Sequence, residues 1–507
     1  MKLWLTSDNV AWDTERYHYS AEQMMLTLFP GERPEYPDAP APVRLDEERN
    51  AVVFTLHRGA KLTNMSALVL RDGRWNNGVV RFPSEKLDEP PEAVYRTVSH
   101  ALKLAFYKAG TAHLGHTLPW GALTGVRPAK LPTRAMLEGR TPAQARQELE
   151  KVYGVSPRRA ALAVTCAQAA VEMKRSLKPD EVSLYVGIPF CPTRCAYCSF
   201  ISADVKRSLN LVEPYLDGLR AEIAAAGAAL AGAGMSVRTL YIGGGTPTTL
   251  SAAQLDRLMG QIGEKIGLSR CTEYTVEAGR PDTITAEKLA VLKARGATRV
   301  SVNPQTMEDS VLRAMGRAHT ARQTLDAWEL VKATGFTQVN MDLIAGLPTD
   351  TVEGFRATID QVIALAPANI TVHTLALKKS AALFQDRGSL PSAEETGQML
   401  DYAWQELEAA GYVPYYLYRQ KYMSGSFENV GWCKPGTENG YNICMMEELH
   451  PVLALGAGGV TKLTDGAAQL QRLCNPKYPA EYLERLDKVL EDKKKAGDYF
   501  RKDDPHV

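Results

Sequence analysis

Three cysteines fall within eight residues of a 507-residue chain, in the run Tyr185-Val-Gly-Ile-Pro-Phe-Cys191-Pro-Thr-Arg-Cys195-Ala-Tyr-Cys198-Ser-Phe200. The C-x3-C-x2-C spacing directly follows a strand-like stretch, and a loop of this length can wrap its thiolates round one [4Fe-4S] cluster. Three protein ligands for four irons leave one iron open. The amino and carboxylate groups of S-adenosylmethionine (SAM) can chelate such an iron and take an electron from the cluster; homolysis then yields a 5′-deoxyadenosyl radical. The competing chemistry is a structural zinc site, which takes four ligands in paired Cys or Cys/His spacing. No fourth Cys or His lies nearby in sequence.

Other residues downstream carry chemistry of their own. Gly243-Gly244-Gly245-Thr246-Pro247-Thr248 follows a second strand, and a loop without side chains lets backbone polar groups approach a ligand; alone, such a triplet is a tight turn. Glu277 ends a third strand, where a carboxylate points into the ligand mouth of a barrel rather than into solvent. Arg317, in Met315-Gly316-Arg317-Ala318-His319, offers a guanidinium that can hold a carboxylate bidentately; without its spacing it reads as a helix-surface arginine. Asp342 sits among apolar residues of a fifth strand, where an acid is costly unless hydrogen-bonded. Tyr412, Tyr415, Tyr416, Tyr418 and Tyr422, interleaved with Arg419 and Lys421, suit either a flat aromatic wall with cations for a ligand's acidic groups or a C-terminal strand packed on the barrel. His319, Cys433, Cys444 and Cys474 are widely separated and read as satisfied or buried residues, so the metal ligands are Cys191, Cys195 and Cys198 alone.

These positions need a scaffold, and the pattern from Val182 supplies one. Strands are expected at Ser183–Ile188, Thr239–Ile242, Glu273–Glu277, Arg299–Asn303, Gln338–Ile344 and Ile370–Ala376. Helices lie between them. Ser251 caps one whose apolar face is Leu255, Leu258, Met259, Ile262 and Ile266; Thr285 opens another that Gly296 ends. Strands alternating with crossover helices imply a parallel α/β sheet curled toward a barrel. Before it, residues 1–180 form an α+β region, with strands near Ala51–Leu56 and Ala67–Leu70 and a helical stretch over Gln147–Lys174. Lys178-Pro179-Asp180 marks the boundary. The barrel is expected over 181–378. Beyond it, 379–507 is a mixed, substrate-covering extension in which the alternation fades into helices, the tyrosine-rich segment and a turn at Gly456–Gly459, ending in a solvated charged helix and tail from Glu491.

Composition narrows the partners. Lys plus Arg number 59 against 58 Asp plus Glu, a net of +1 without a single-sign block, so a small molecule is expected and not nucleic acid. The early polar residues leave no room for a signal peptide, and the Ala/Gly-rich stretch Ile223–Gly234 is too short to span a bilayer. A cytoplasmic protein is expected, with its eight cysteines reduced and three clustered for metal chemistry.

With the C-x3-C-x-aromatic-C signature and the GGGTPT loop in this strand order, the chain resembles the radical SAM superfamily, and within it the oxygen-independent coproporphyrinogen III oxidase-like family and its HemZ-type coproporphyrinogen dehydrogenases. The likeness is detailed over Val182–Lys379. It implies a partial (β/α)6 barrel binding a [4Fe-4S] cluster and SAM, with SAM contacts from Tyr185, Tyr197, Gly244, Gly245, Thr246, Glu277, Gln305, Arg317, Asp342 and Ala376, and no catalytic side chain beyond the cluster and SAM site. Gly279-Arg280 stands where many relatives have Asn. The implied reaction converts two propionates of coproporphyrinogen III to vinyl groups in haem biosynthesis, with electron donor and acceptor unidentified. Phe200 replaces a further Cys of the oxidases and matches the related haem chaperones, the second reading; a radical SAM enzyme that opens haem is a third. The long N-terminal region and its phrase Leu118-Pro-Trp-Gly-Ala-Leu-Thr-Gly-Val-Arg-Pro128 favour the dehydrogenase.

Overall fold

The computed structural model describes residues 1–38, 50–198, 203–204, 208–376, 390–420, 424–464 and 470–502. Phe200, Lys421, Tyr422, the expected 378/379 boundary and the end of the charged tail lie outside these residues. The chain divides into two compact units, Met1–Pro128 with Glu138–Val164, and Ala129–Leu137 with Thr165–Val507.

In the first unit, β1 (Lys2–Ser7), β2 (Asn50–Arg58), β3 (Leu62–Arg71) and β4 (Arg74–Pro83) form a sheet in that order. β1 runs parallel to β2, and the other pairs are antiparallel. Val52, Phe54 and Leu56 alternate into a core with Met24 and Met25 of helix Glu15–Leu28 and Phe106 of helix Pro91–Leu114, where Phe54 and Phe106 meet edge to face at 5.3 Å. The phrase at 118–128 forms a clamp on the end of helix Pro142–Tyr153: the Ala122 amide donates to Tyr153 O (2.8 Å) and the Ser156 amide to Pro119 O (3.0 Å). Gly121, at φ 55°, leaves no space for a side chain, since a Cβ there would stand 2.1 Å from Tyr153 O. The helical stretch expected over Gln147–Lys174 is two helices, Pro142–Tyr153 and Pro157–Ser176. Gly154 ends the first in the left-handed region and Pro157 begins the second, the usual chemistry of stop and start.

The second unit is built on an eleven-stranded sheet. Its strands are β5 (Glu181–Ile188), β8 (Ser236–Gly244), β9 (Glu273–Glu277), β10 (Arg299–Ser301), β11 (Gln338–Ala345), β12 (Asn369–Thr374), β13 (Val413–Tyr418), β14 (Asn429–Cys433), β15 (Val452–Leu455), β16 (Val460–Thr464) and β17 (Leu470–Cys474); the short pair β6 (Phe190–Cys191) and β7 (Ala203–Asp204) stands apart. The order β5-β8-β9-β10-β11-β12 is all parallel, as the alternation predicts. This is the parallel sheet with crossover helices that the resemblance implies for a partial barrel. Ser251 caps helix Ala252–Lys265 through a reciprocal bond with Gln254, and Thr285 caps Ala286–Ala294 as expected. β10 stops at Ser301 and β12 at Thr374, so Asn303 and Ala376 lie just beyond their strands.

Two expectations for the C-terminal part are corrected. Rather than fading into helices, the chain returns to the sheet at both edges: β14 and β13 extend it antiparallel beyond β12, while β15 pairs parallel with β5 and carries β16 and β17. Within the tyrosine-rich segment, Val413–Tyr418 is therefore a strand. The charged end is not simply a solvated helix either. Helix Leu486–Lys502 buries Val489, Lys493 and Ala496, and Lys493 pairs with Glu222 at 3.1 Å.

Candidate functional site

The period of two along the parallel strands places Ser183 and Tyr185, Thr239 and Tyr241, Glu273, Thr275 and Glu277, Asn340 and Asp342, and Asn369, Thr371 and His373 on one face of the sheet. Both faces of such a sheet are ordinarily apolar; here one is lined with polar groups that bond to one another. Ser183 and Thr239 share a 2.7 Å hydrogen bond, Thr371 Oγ1 donates to Asn340 Oδ1 (3.1 Å), and Asn340 Nδ2 donates to Asp342 Oδ1 (2.8 Å). At the N-terminal end of this face the Gly440 and Tyr441 amides, opening helix Gly440–Glu447, donate to the Glu273 carboxylate at 2.8 and 3.1 Å. Tyr441 then stacks on Tyr241 at 4.5 Å, and Tyr185 stacks against both at 6.3 Å.

Two carboxyls, Glu277 at the end of β9 and Asp342 in the C-terminal half of β11, are driven apart. Burial pushes Glu277 up to about 7; the Tyr241 hydroxyl, donating at 2.5 Å, works against the rise, and the Asp342 charge adds to it. Burial acts to raise Asp342 as well, but His373, Asn340 and Thr371 together hold it below the usual carboxylate range. His373 Nε2 lies 3.7 Å from Asp342 Oδ1.

The cysteine loop crosses these strand ends. Gly245 and Thr246 donate their amides to Ile188 O and Phe190 O, both at 2.8 Å, which lays the glycine loop against the cysteine loop. A Cβ on Gly245 would stand 2.6 Å from Phe190 O and 3.0 Å from Cys191 Sγ, so only glycine allows this approach. The Thr246 hydroxyl lies 3.5 Å from Cys191 Sγ. The Ala196 amide donates to Met315 O (3.0 Å), and Arg280, buried, reaches back to the loop: Nη1 donates to Thr193 Oγ1 (2.8 Å) and Thr193 O (3.2 Å) and lies 3.9 Å from Cys195 Sγ. Tyr197 packs on Val311, Leu312 and Met315, and its ring hydroxyl meets Arg317.

Gln305 follows β10 in the left-handed region at φ 69°, held there because its amide donates to Asp342 O (2.9 Å) and its carbonyl accepts from Ile344 (3.0 Å). A non-glycine residue kept in this conformation signals a position fixed by its surroundings. Arg317 Nη1 donates to Asn303 O at 2.7 Å. Several buried polar atoms around these residues have no protein partner, namely Ser301 Oγ, Asn303 Oδ1, Gln305 Oε1, Arg317 Nε and the Tyr441 hydroxyl. Native interiors leave few such atoms, and a cluster of them marks a place for a ligand.

The radical SAM superfamily profile matches residues 185–362. Over 416 residues the chain is 38% identical to the oxygen-independent coproporphyrinogen-III oxidase-like protein HemZ of Bacillus subtilis, covering 80% of this chain and 82% of that one. This chain belongs to the radical SAM superfamily and to its oxygen-independent coproporphyrinogen III oxidase-like family. The haem chaperone HemW of Lactococcus lactis is 32% identical over 285 residues, 55% of this chain and 69% of that one. Among solved structures, coproporphyrinogen III oxidase (HemN) from Escherichia coli, a radical SAM enzyme, aligns with a TM-score of 0.51 and 26% identity over 65% of this chain and 72% of its own.

Family membership gives this radical SAM protein its cofactors, a [4Fe-4S] cluster and SAM. The residues fit them. The donor set is three thiols on one loop, Gly245 leaves room beside Cys191, and the unpartnered atoms of Gln305, Asn303 and Arg317 are neighbours of Asp342 and of the cysteine loop. Among the described residues, no three His, Cys, Asp or Glu side chains converge on a single ion. Of the remaining site residues named from sequence, Tyr185 belongs to the tyrosine stack and Ala376 is half-buried past β12. Arg419 is buried and donates to Ser426 O (3.1 Å), and Cys433 and Cys444 belong to an apolar cluster with Tyr415 and Ile443. Missed in sequence were Tyr241, Tyr441 and His373, while Arg280 was noted there as a departure from relatives but given no role. For Tyr241 and His373 the signal was polar or aromatic residues at every second position of their strands, whereas Tyr441 opens helix Gly440–Glu447 and carried no such signal; for Arg280 the signal was its two-residue spacing from Asp282, to which Nε donates at 3.1 Å.

Proposed function

We propose that this chain is a coproporphyrinogen dehydrogenase, converting two propionate side chains of coproporphyrinogen III to vinyl groups and giving protoporphyrinogen IX. What supports this reading over the haem chaperone is the extent of the likeness to HemZ: a match of 416 residues is longer than residues 181–507 can hold, so it reaches into the N-terminal region, whereas the 285-residue chaperone match fits within the barrel and its extension. For each propionate the balance is loss of one hydrogen atom from the β-carbon, loss of CO2, and passage of one electron to an external acceptor, leaving the vinyl double bond.

Cys191, Cys195 and Cys198 hold the cluster in this reading. When bound, the cluster and SAM together supply the hydrogen-abstracting radical. The protein's residues bind and orient. The loop Gly244-Gly245-Thr246 offers backbone groups to SAM, Arg317 and Gln305 offer a cation and an amide to its polar end, and Asp342, kept ionised by His373 and Asn340, accepts from its amino or hydroxyl groups. Tyr185, Tyr197, Glu277 and Ala376 complete the lining. The extension beyond residue 378 covers the substrate, with Tyr416 and Tyr418, stacked at 6.5 Å, forming part of the wall. Water exclusion is then the protein's other task.

The test is an anaerobic incubation of the reconstituted protein with reductant, SAM and coproporphyrinogen III, followed by oxidation and porphyrin analysis. Mono- and divinyl products with CO2 release are expected. SAM cleavage without carbon loss, together with tight haem binding and transfer, would install the chaperone reading instead.

A further inference from the structure

Arg280 is a buried cation of the second unit's strand-end loops whose contacts run to the cysteine loop from the glutamate side of the barrel. It is 3% exposed and spends its guanidinium on two targets. Nη1 holds Thr193, through both hydroxyl and carbonyl, and lies 3.9 Å from Cys195 Sγ; Nε and Nη2 donate to the two oxygens of Asp282 at 3.1 and 3.3 Å. Cys195 is itself buried, and Arg317 meets the same sulfur from the opposite loop. A buried sulfur approached by two guanidiniums, one of them partly balanced by Asp282, is an electrostatic arrangement rather than a packing one.

We infer that Arg280 positions the cysteine loop and sets the reduction potential of the cluster held there, with Asp282 as the counterweight. The inference rests on the reading of Cys195 as a cluster ligand. Its physics is simple. One-electron reduction adds negative charge to the cluster and its thiolates, so a nearby fixed cation and an N–H donor to a ligand sulfur both favour the reduced state and raise the potential. Removing the cation lowers it. Removing Asp282 leaves the cation less balanced and raises it, a change of opposite sign that loosening of the loop would not produce.

The measurement is an anaerobic redox titration of the full-length reconstituted protein, followed by electron paramagnetic resonance of the reduced cluster, on wild type, Arg280→Gln, Arg280→Lys and Asp282→Asn. At a solution potential where wild type is half reduced, Arg280→Gln should lower the reduced-to-oxidised ratio about tenfold, or ~59 mV for one electron. Arg280→Lys, which keeps the charge without the fork, should stay closer to wild type in potential while broadening the spectrum as the loop loosens. Asp282→Asn should move the ratio up. If Arg280→Gln holds a full complement of iron with an unchanged potential, the inference is overturned. If that variant fails to assemble a cluster, Asp282→Asn decides alone: a shift upward supports the inference, and no shift or a downward one overturns it. Wild-type protein that binds no iron would fail the cluster reading itself, a different result from a cluster whose potential ignores Arg280.

Discussion

Two buried polar clusters of the second unit have similar ingredients and opposite states of completion. Beneath the turn after β15, Glu222 accepts from the Gly456 amide (2.7 Å), Asn475 Nδ2 (2.8 Å) and the Tyr482 hydroxyl (2.6 Å), and pairs with Lys493, which also donates to Ala454 O (2.7 Å). Its carboxylate is saturated by its own chain. At the strand ends the carboxyls Glu277 and Asp342 are surrounded instead by atoms still seeking partners, on Ser301, Asn303, Gln305 and Arg317. One cluster is a device that joins the last helix to the sheet, the other a device that receives something. The difference lies in the count of unmet donors and acceptors, and the open cluster is also the more accessible, with the Asp342 side chain 22% exposed against 0% for Glu222.

The comparison can be broken at several points. The largest effect is expected on the open side: Cys195→Ala should abolish the cluster's visible absorbance and SAM cleavage together, and survival of either would remove the cluster from this loop. On the closed side, Lys493→Met strands the Glu222 carboxylate and should cost about 3–5 kcal/mol, read as a fall in the urea midpoint. A Glu222→Leu/Lys493→Met double variant should recover part of that loss, because it leaves no buried charge behind; a double variant worse than the single would show that the pair is itself stabilising.

The strand-end carboxyls give a smaller, pH-dependent effect. Glu277 rises from 4.5 to about 7 in the fold, so between these values the native state holds a proton that the unfolded chain has released. Stability of the ligand-free protein from this group is full below pH 4.5, falls as pH rises, and levels off above about 7, a loss of up to ~3 kcal/mol. Glu277→Gln should erase that slope in urea unfolding measured from pH 5 to 7.5; an unchanged slope would place the titration elsewhere. Tyr241→Phe should act least, about 1 kcal/mol, by removing one hydrogen bond to Glu277. Since that bond holds the pKa down, its loss should extend the falling limb to higher pH, and a shift to lower pH would contradict the assigned geometry.

Much of this site was legible because parallel strands end where ligands bind. Cys191, Gly245, Glu277 and Gln305 each sit at, or within a few residues after, a strand end that periodicity locates within a residue or two, while Asp342 lies inside β11 near its C-terminal end. Arg280 was not legible, since nothing local shows that its side chain turns back across the loop to Thr193, some 87 positions earlier. The polar inner face was partly visible as Ser183, Thr239 and Thr275 inside otherwise apolar strands. Composition misled at the C-terminus: Lys493 lies in a run of charges, Glu491 to Lys495, yet it is the one turned inward to Glu222. The strands β13 to β17 were obscured because strands added at the edges of a parallel sheet, β15 parallel to β5 and the others antiparallel to their neighbours, follow no regular alternation with helices, and their partners are chosen by tertiary contact.

The pairing of β15 with β5 also has a consequence in time. Val452–Leu455 is the parallel neighbour of Ser183–Val186, and roughly 260 residues separate the two segments along the chain. At a synthesis rate of about 5–20 residues per second, one flank of β5 emerges from the ribosome and waits on the order of 13–50 s for its neighbour to be made. During that interval its backbone amides and carbonyls on that side form an open template for any passing strand. The nascent protein is therefore most vulnerable to mispairing late in its own translation, and slowing elongation downstream of residue 188 should raise the aggregated fraction more than slowing it upstream.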